Sequence, residues 1–378
     1  MQDFWRTYLH PNRPALLTGL TSSWHCQREW VTQDGAPDCR CLREAFGAVR
    51  VQVADCSLPE EESCRLNWSL GQYLDYLDAH SVDGDARVLY CKDVHLVTES
   101  ERRGLPEPYT TPELFADDWL NAYYDVATLP GETAQASDYR FTYLGPPGSS
   151  TPMHADVLRS QSWSTNLSGT KHWLLFPPDQ AELLRDARGA FPADYNAALQ
   201  CGNYPRIADA KPMELLVQEA GDTMFVPAGW VHQVLNVGST PVLSVNHNWF
   251  GVTSLDITWR FLCDEMRLAE QHIEDIRHCT PPDEFDALVV RNTRANAGLD
   301  AAQFALLIWQ SVRHRINAGE SDSAFDKRTD VLACTRAAQV LRQMANLRHG
   351  LLQMSGKQER PQPDEWASAL ECWLANAV

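Results

Sequence analysis

TPMHAD, Thr151 to Asp156, followed after a long gap by FVPAGWVHQVLN, Phe225 to Asn236, decides the reading of this chain. The first stretch carries His154 and Asp156 and the second His232, so together they offer two imidazoles and one carboxylate to a metal ion. Their setting supports that use. DYRFTYL (Asp138 to Leu144) is β-prone and GPPGSSTP (Gly145 to Pro152) is a Gly/Pro turn, so His154 sits where a strand resumes. Side chains of a strand alternate between faces, which sends His154 and Asp156 to one side and Ala155 to the other. His272-Ile273-Glu274 repeats the His-x-acid spacing, but in a helix-patterned stretch, where residues two apart do not share a face. It reads as solvated surface.

The third ligand has a rival. His232 follows the tight turn Pro227-Ala228-Gly229, which ends the short strand Asp222 to Val226 and can aim a side chain inward at a barrel rim. His247 lies in VLSVNHNW (Val242 to Trp249), where alternation groups it with Leu243, Val245 and Trp249 and places Ser244, Asn246 and Asn248 opposite. His247 therefore reads as a core or interface histidine, with ligation as the alternative, and Asn246 can look into the site. Two histidines and a carboxylate with the remaining positions open is the ligand set by which non-haem Fe(II) oxygenases admit a co-substrate and dioxygen. No Ser-His-Asp, Cys-His or paired-carboxylate motif stands out elsewhere in the chain.

Four blocks fall in one order: TPMHAD, SGTKHWLLFPP (Ser168 to Pro178), EAGDTMFVPAGWVHQVLN (Glu219 to Asn236) and SVNHNW (Ser244 to Trp249). In that order they resemble the JmjC (Jumonji C) oxygenases, within the cupin-type 2-oxoglutarate-dependent dioxygenases. RVLYCKDVHL (Arg87 to Leu96), FADDWLNAYYD (Phe115 to Asp125) and HADVLRSQSWSTN (His154 to Asn166) narrow the resemblance to a branch of lysyl carbon-4 hydroxylases. That branch acts on the translation termination factor that decodes stop codons. The likeness runs from about Pro11 to Trp259. It implies an α+β fold with a double-stranded β-helix (jelly-roll, cupin-like) core, Fe(II), 2-oxoglutarate and O2 as cofactors, and a protein substrate.

The resemblance also implies further site residues. The distal carboxylate of 2-oxoglutarate needs a cation and hydroxyl donors in a partly dehydrated pocket. Lys171 matches that cation; on chemistry alone, a lysine heading the apolar run KHWLLF either snorkels outward or meets a buried anion. Thr151 and Tyr90 match hydroxyl donors to the carboxylate, and Asn246 matches a polar residue near the iron-binding end. Ser164 stands where some relatives have Asn and offers a shorter arm with one donor, so a co-substrate contact and a small polar strand residue are both open. Trp163, Trp173 and Trp230 read as core packing. Demethylation of N-methyl-lysine would use the same iron chemistry. A non-catalytic scaffold would show a lost ligand or a lost lysine, and neither is lost.

Composition bounds the rest. The 378 residues are 44% hydrophobic, enough for a large core, and carry a formal net charge of −18. That sign argues against nucleic-acid or anionic-membrane binding and suits a basic protein segment as target, with acidity that merely keeps an enzyme soluble as the alternative. The 11 cysteines form no Cys-x-x-Cys unit, which reads as reduced thiols in the cytoplasm or nucleus and excludes a zinc reader module. MQDFWRTYLHPNRP lacks an apolar signal core and no apolar run approaches the length of a membrane span. Three parts are expected: a mixed α/β part at 1–135, the jelly-roll core at 136–250 and a helical region at 251–378. SLGQYLDYLDAH (Ser69 to His80) predicts a capped helix, and the polar insert Asp179 to Met213 predicts a lid or substrate-facing loop. Apolar stripes such as Leu306, Trp309 and Val312 in the C-terminal helices predict internal core, with a homodimer interface as the alternative.

Overall fold

β-Branched and aromatic residues alternating between Gly/Pro turns yield strands. The computed structural model, which describes residues 2–58, 65–83, 87–126, 138–213, 215–317, 327–352 and 361–377, contains β1 (Ala15–Leu17), β2 (Arg50–Asp55), β3 (Leu66–Ser69), β4 (Leu89–Val94), β5 (Arg140–Gly145) and β6 (Ser150–Ala155). These are followed by β7 (Gln161–Ser168), β8 (Thr170–Phe176), β9 (Leu216–Gln218), β10 (Thr223–Val226), β11 (Val231–Val237) and β12 (Val242–Trp249). They form an eight-stranded sheet in the order β1-β10-β7-β12-β5-β4-β2-β3 and a four-stranded sheet in the order β6-β11-β8-β9. From β5 to β8, and again from β10 to β12, consecutive strands switch sheets, which is the jelly-roll path.

The interior between the sheets is filled by Trp173 and Leu175 of β8, Val234 of β11, Met224 and Val226 of β10, and Trp230. Each is nearly inaccessible, and burial of side chains of this size contributes roughly 1.5–3 kcal/mol apiece. The far face of the larger sheet carries Trp163, which stacks on Phe115 at 5.8 Å and meets Trp24, Tyr109 and His247 at 5.8, 5.2 and 5.2 Å. His247 is thus a core histidine on the face away from Asn246, as strand alternation predicts.

One departure from the expected organisation concerns local packing. The insert Asp179 to Met213 is not a free loop. A 3-10 turn at Pro178–Leu183, a helix at Tyr195–Cys201 and a second 3-10 turn at Ile207–Asp209 lay Leu184, Ala198, Ile207 and Ala210 against Met153, Phe176 and Val231 on the outer face of the smaller sheet. The polar residues that suggested a lid fix the insert instead, with Asp194 capping the helix at Ala197 and accepting from Gln233 at 2.8 Å. The described residues also fall into two compact units. One lies within Met1–Ala116, Gly131–Asp156 and Gln161–Asn248, the other within Asp117–Pro130, Val157–Ser160 and Trp249–Val378. In the larger sheet, β1 to β4 of the N-terminal part stand alongside β5 of the jelly-roll core.

The helix predicted at Ser69 forms over Leu70–Asp83, and Ser69 and Gln72 exchange side-chain and backbone hydrogen bonds of 2.9 and 3.2 Å as a capping box. In the second unit, helices span Trp119–Val126, Leu255–His272, Pro282–Ala297, Ala301–Asn317, Lys327–Ala345 and Pro363–Ala377. Buried Asp300 caps the helix at Ala301 through Gln303 and is paired with Arg294. Val312 is buried and Trp309 stacks on Trp366 at 5.4 Å, so that stripe serves packing within the unit. No described helix is long and apolar enough to cross a membrane.

Candidate metal centre and co-substrate pocket

Two neighbouring strands of the smaller sheet bring the ligands together. β6 and β11 pair antiparallel with His154 directly opposite His232, so both imidazoles leave the same face. Asp156 follows two residues after His154 on that face, while Ala155 packs outward against the Met153–Val231 cluster. One donor atom from each of His154, Asp156 and His232 lies within 4.8 Å of the others. The rings are 4.3 Å apart, and His154 Nε2 stands 3.9 Å from Asp156 Oδ1. His247 and the His272–Glu274 pair take no part in this group.

Each ligand is oriented from behind. His154 Nδ1 lies 2.8 Å from the Pro152 carbonyl and His232 Nδ1 lies 3.3 Å from that of Trp230. A carbonyl only accepts, so each Nδ1 carries the proton and Nε2 keeps its lone pair free for a metal. Burial, then the neighbouring His154, push the His232 pKa down to about 4 against the opposing effect of Asp156, which keeps that imidazole neutral near pH 7. Asp156 Oδ2 accepts from Ser162 Oγ at 2.7 Å, leaving Oδ1 toward the histidines. The turn before His232 is braced by Asn12, whose amide exchanges two 2.9 Å bonds with Ala228 and whose carbonyl accepts from Trp230 Nε1. Gly229 makes this turn at φ +73°.

Thr151 lies three residues before His154, which by simple alternation would put it on the wrong face. The β6–β11 register shifts between His232 and Val234: His154 faces His232, but Thr151 faces Val234, so Pro152 and Met153 together oppose one residue. This β-bulge returns Thr151 to the ligand face. A proline fits there, because a bulge frees it from the ladder.

Lys171 points inward and is 2% exposed. Among the described residues its partners are hydroxyls, Ser244 Oγ at 2.7 Å and Ser164 Oγ at 3.3 Å, and no carboxylate pairs with it. Burial pushes its pKa down to about 7. A buried ammonium held only by hydroxyls is short of an anion, and this settles the choice against snorkelling. Asn246 Oδ1 accepts from Ser164 at 2.8 Å, which joins both residues to the Lys171 group. Tyr90 is buried; burial raises its pKa, and hydrogen bonding to Asn236 and Thr151 opposes the rise. Asn236 sits opposite Lys171 in the β11–β8 pairing. Gly145 makes room for Tyr90, since a Cβ there would lie 2.5 Å from both the Tyr90 ring and Ser149 Oγ.

Sequence reasoning missed three neighbours. Ser162 was detectable, since it shares the strand parity of Ser164. Ser244 was already on the Asn246 face without a role. Trp173 packs in the core as expected, but its ring also lies 5.6 Å from the His232 ring and 5.8 Å from Lys171 Nζ, so it borders both the candidate metal ligands and the cation. The N,N,O donor set suits Fe(II), and the anion-deficient lysine ringed by hydroxyls suits a dicarboxylate that chelates iron at one end.

A model of the cupin-like domain matches residues 1–253. The chain is 37% identical over 341 residues to the 2-oxoglutarate and iron-dependent oxygenase JMJD4 of Danio rerio, spanning 87% of this chain and 77% of that protein. It is 37% identical over 309 residues to the protein of the same name from Homo sapiens, spanning 80% and 71%. It is also 37% identical over 320 residues to the arginine-specific demethylase JMJ20 of Arabidopsis thaliana, spanning 81% and 66%. With that likeness and with the ligand set intact, the chain belongs to the cupin-like JmjC family of 2-oxoglutarate and iron-dependent oxygenases.

Proposed function

We propose that this chain hydroxylates a lysine side chain of a protein, at carbon-4 and on the translation termination factor, converting 2-oxoglutarate and O2 to succinate and CO2. The observation that carries the oxygenase reading is the His154–Asp156–His232 group set beside the buried, anion-deficient Lys171. The lysyl reading draws on similarity to proteins named JMJD4.

Fe(II) with 2-oxoglutarate, when bound, supplies the activation of dioxygen that an unactivated C–H bond requires. The chain's own residues do the rest. His154, Asp156 and His232 would hold the metal, with their backs fixed by Pro152, Ser162 and Trp230. Lys171 would bind the distal carboxylate, with Thr151 and Tyr90 supplying hydroxyls, and Ser164 and Asn246 extend this polar strip. Trp173, Val234 and Met224 keep water from the other side, which strengthens each charge interaction within. The roles left to the protein are thus holding, orienting and drying the site.

A second reading, oxidative removal of a protein N-methyl group, is favoured by the name of the Arabidopsis relative. Mass spectrometry separates the two. With Fe(II), ascorbate and 2-oxoglutarate, a termination-factor fragment should gain the mass of one oxygen on an unmethylated lysine, and the His154→Ala protein should leave it unchanged. Loss of a methyl group from a methylated peptide, with no gain on the unmethylated one, would replace hydroxylation by demethylation.

A further inference from the structure

One irregularity in the larger sheet faces the same interior. β4 and β5 pair at Cys91↔Leu144 and Val94↔Thr142, so Lys92 and Asp93 together oppose Tyr143. Asp93 takes up the extra residue in a left-handed conformation, φ +58°. Aspartate tolerates that region better than most residues, yet it still carries a cost, and bulges are a means of re-aiming a side chain. Here the bulge turns the Asp93 carboxylate onto Tyr143, whose hydroxyl donates to Oδ1 at 2.7 Å.

Tyr143 connects this carboxylate to the centre already described. It pairs across the sheet with Ser244, the hydroxyl that holds Lys171, and Phe141 pairs with Asn246. Burial, and then the Asp93 carboxylate, raise the Tyr143 pKa well above the usual tyrosine range. Its ring stands 6.0 Å from Tyr90 and 6.4 Å from Phe141. The result is an aromatic wall ending in a carboxylate. The Asp93 side chain is 39% exposed, so this end is open to solvent.

A carboxylate beside ring faces selects a cation. One already uses it: the exposed Arg65 guanidinium lies 3.6 Å from Asp93 Oδ2. An exposed pair at that distance contributes little and is readily exchanged for another cation.

We infer that Asp93, held by Tyr143, binds the charged end of the substrate side chain and makes the enzyme selective for cationic residues. The inference rests on the reading of a basic protein side chain as substrate, and names the group that recognises it. Tyr143 is a positioning residue, since it holds the carboxylate, and Arg65 occupies the anchor until substrate displaces it.

The test uses the full chain loaded with Fe(II) and 2-oxoglutarate under anaerobic conditions. The probes are peptides of one neutral frame with a central lysine, methyl-lysine, arginine or norleucine, and binding is measured for wild type, Asp93→Asn and Tyr143→Phe. Asparagine keeps the shape and tolerates the left-handed backbone, so the first variant removes charge alone. Wild type should bind at least one cationic peptide more tightly than norleucine, and Asp93→Asn should weaken that peptide by about tenfold or more, the scale of a lost charged hydrogen bond. Norleucine should bind both proteins equally, and Tyr143→Phe should give a smaller loss of the same selectivity. Equal binding of every cationic peptide by wild type and Asp93→Asn overturns the inference. So does a wild type that does not distinguish cations from norleucine. If wild type ignores lysine but binds arginine or methyl-lysine through Asp93, the lysyl hydroxylase reading fails and the anchor stands. If Asp93→Asn is unfolded by its thermal midpoint, the Tyr143→Phe comparison decides, and unchanged selectivity there overturns the inference.

Discussion

Replacing Lys171 by methionine should make the apo-protein more stable and abolish its binding of 2-oxoglutarate. The side chain is buried and partnered by hydroxyls alone, and burial pushes its pKa from 10.5 to about 7. That fall corresponds to roughly 5 kcal/mol at most, held against folding while the lysine is charged. Apolar replacements of buried ionic groups give about 1–4 kcal/mol, and methionine conserves the volume, so a gain in that range is expected. The sign follows from proton counts. Between about pH 7 and 10.5 the unfolded chain holds a proton that the folded chain does not, so wild-type stability from this group is lost as pH falls through that window. The advantage of Lys171→Met should therefore be full at pH 6 and shrink toward pH 10. Thermal unfolding at three pH values, with titration calorimetry of 2-oxoglutarate, measures both effects. A Lys171→Met protein that is less stable at pH 6, or that binds 2-oxoglutarate as wild type does, refutes the reasoning.

The same titration predicts that wild-type affinity for 2-oxoglutarate falls about tenfold from pH 6 to pH 8, since only about a tenth of Lys171 is charged at the higher pH; calorimetry showing a flat profile would contradict it. Ser162→Ala removes the hydrogen bond to Asp156 Oδ2 and should weaken Fe(II) binding about 10- to 100-fold with little change in thermal midpoint, read by equilibrium dialysis. Gly145→Ala drives a methyl group into the Tyr90 ring and Ser149, so calorimetry should show weaker 2-oxoglutarate binding with metal affinity retained. His247→Ala opens a gap in the Trp163 cluster and should cost about 1–3 kcal/mol in denaturant unfolding while the folded protein still binds metal. His232→Ala should do the reverse.

The grouping of the candidate metal ligands was legible because their spacing obeys strand geometry: His154 and Asp156 share parity, and the turn at Gly229 reorients the chain before His232. His247 was separable from them by the same parity, since its strand face carries Leu243, Val245 and Trp249. The jelly roll was legible in the short strands between Gly/Pro turns, and the helix at Leu70 in its capping box. What parity could not supply were the two bulges. The one at Pro152 and Met153 returns Thr151 to the ligand face, and the one at Lys92 and Asp93 brings a carboxylate onto the Tyr143 hydroxyl. Both depend on how a strand is paired across the sheet, and pairing is not local. The insert at Asp179 was misread for a related reason. Its apolar residues are spaced too irregularly to reveal a face, and only the outer surface of the smaller sheet gathers Leu184, Ala198 and Ile207 into a cluster.

Iron and 2-oxoglutarate should meet between His154, Asp156, His232 and Lys171. Anaerobic addition of Fe(II) and then 2-oxoglutarate, followed by the visible charge-transfer absorption of the chelate, reports that meeting directly. Wild type should develop the band only with both present, and His154→Ala, Asp156→Ala and Lys171→Met should each fail to develop it at concentrations that saturate wild type. A band of full intensity in the folded His154→Ala or Asp156→Ala protein, or none in wild type, would contradict the account.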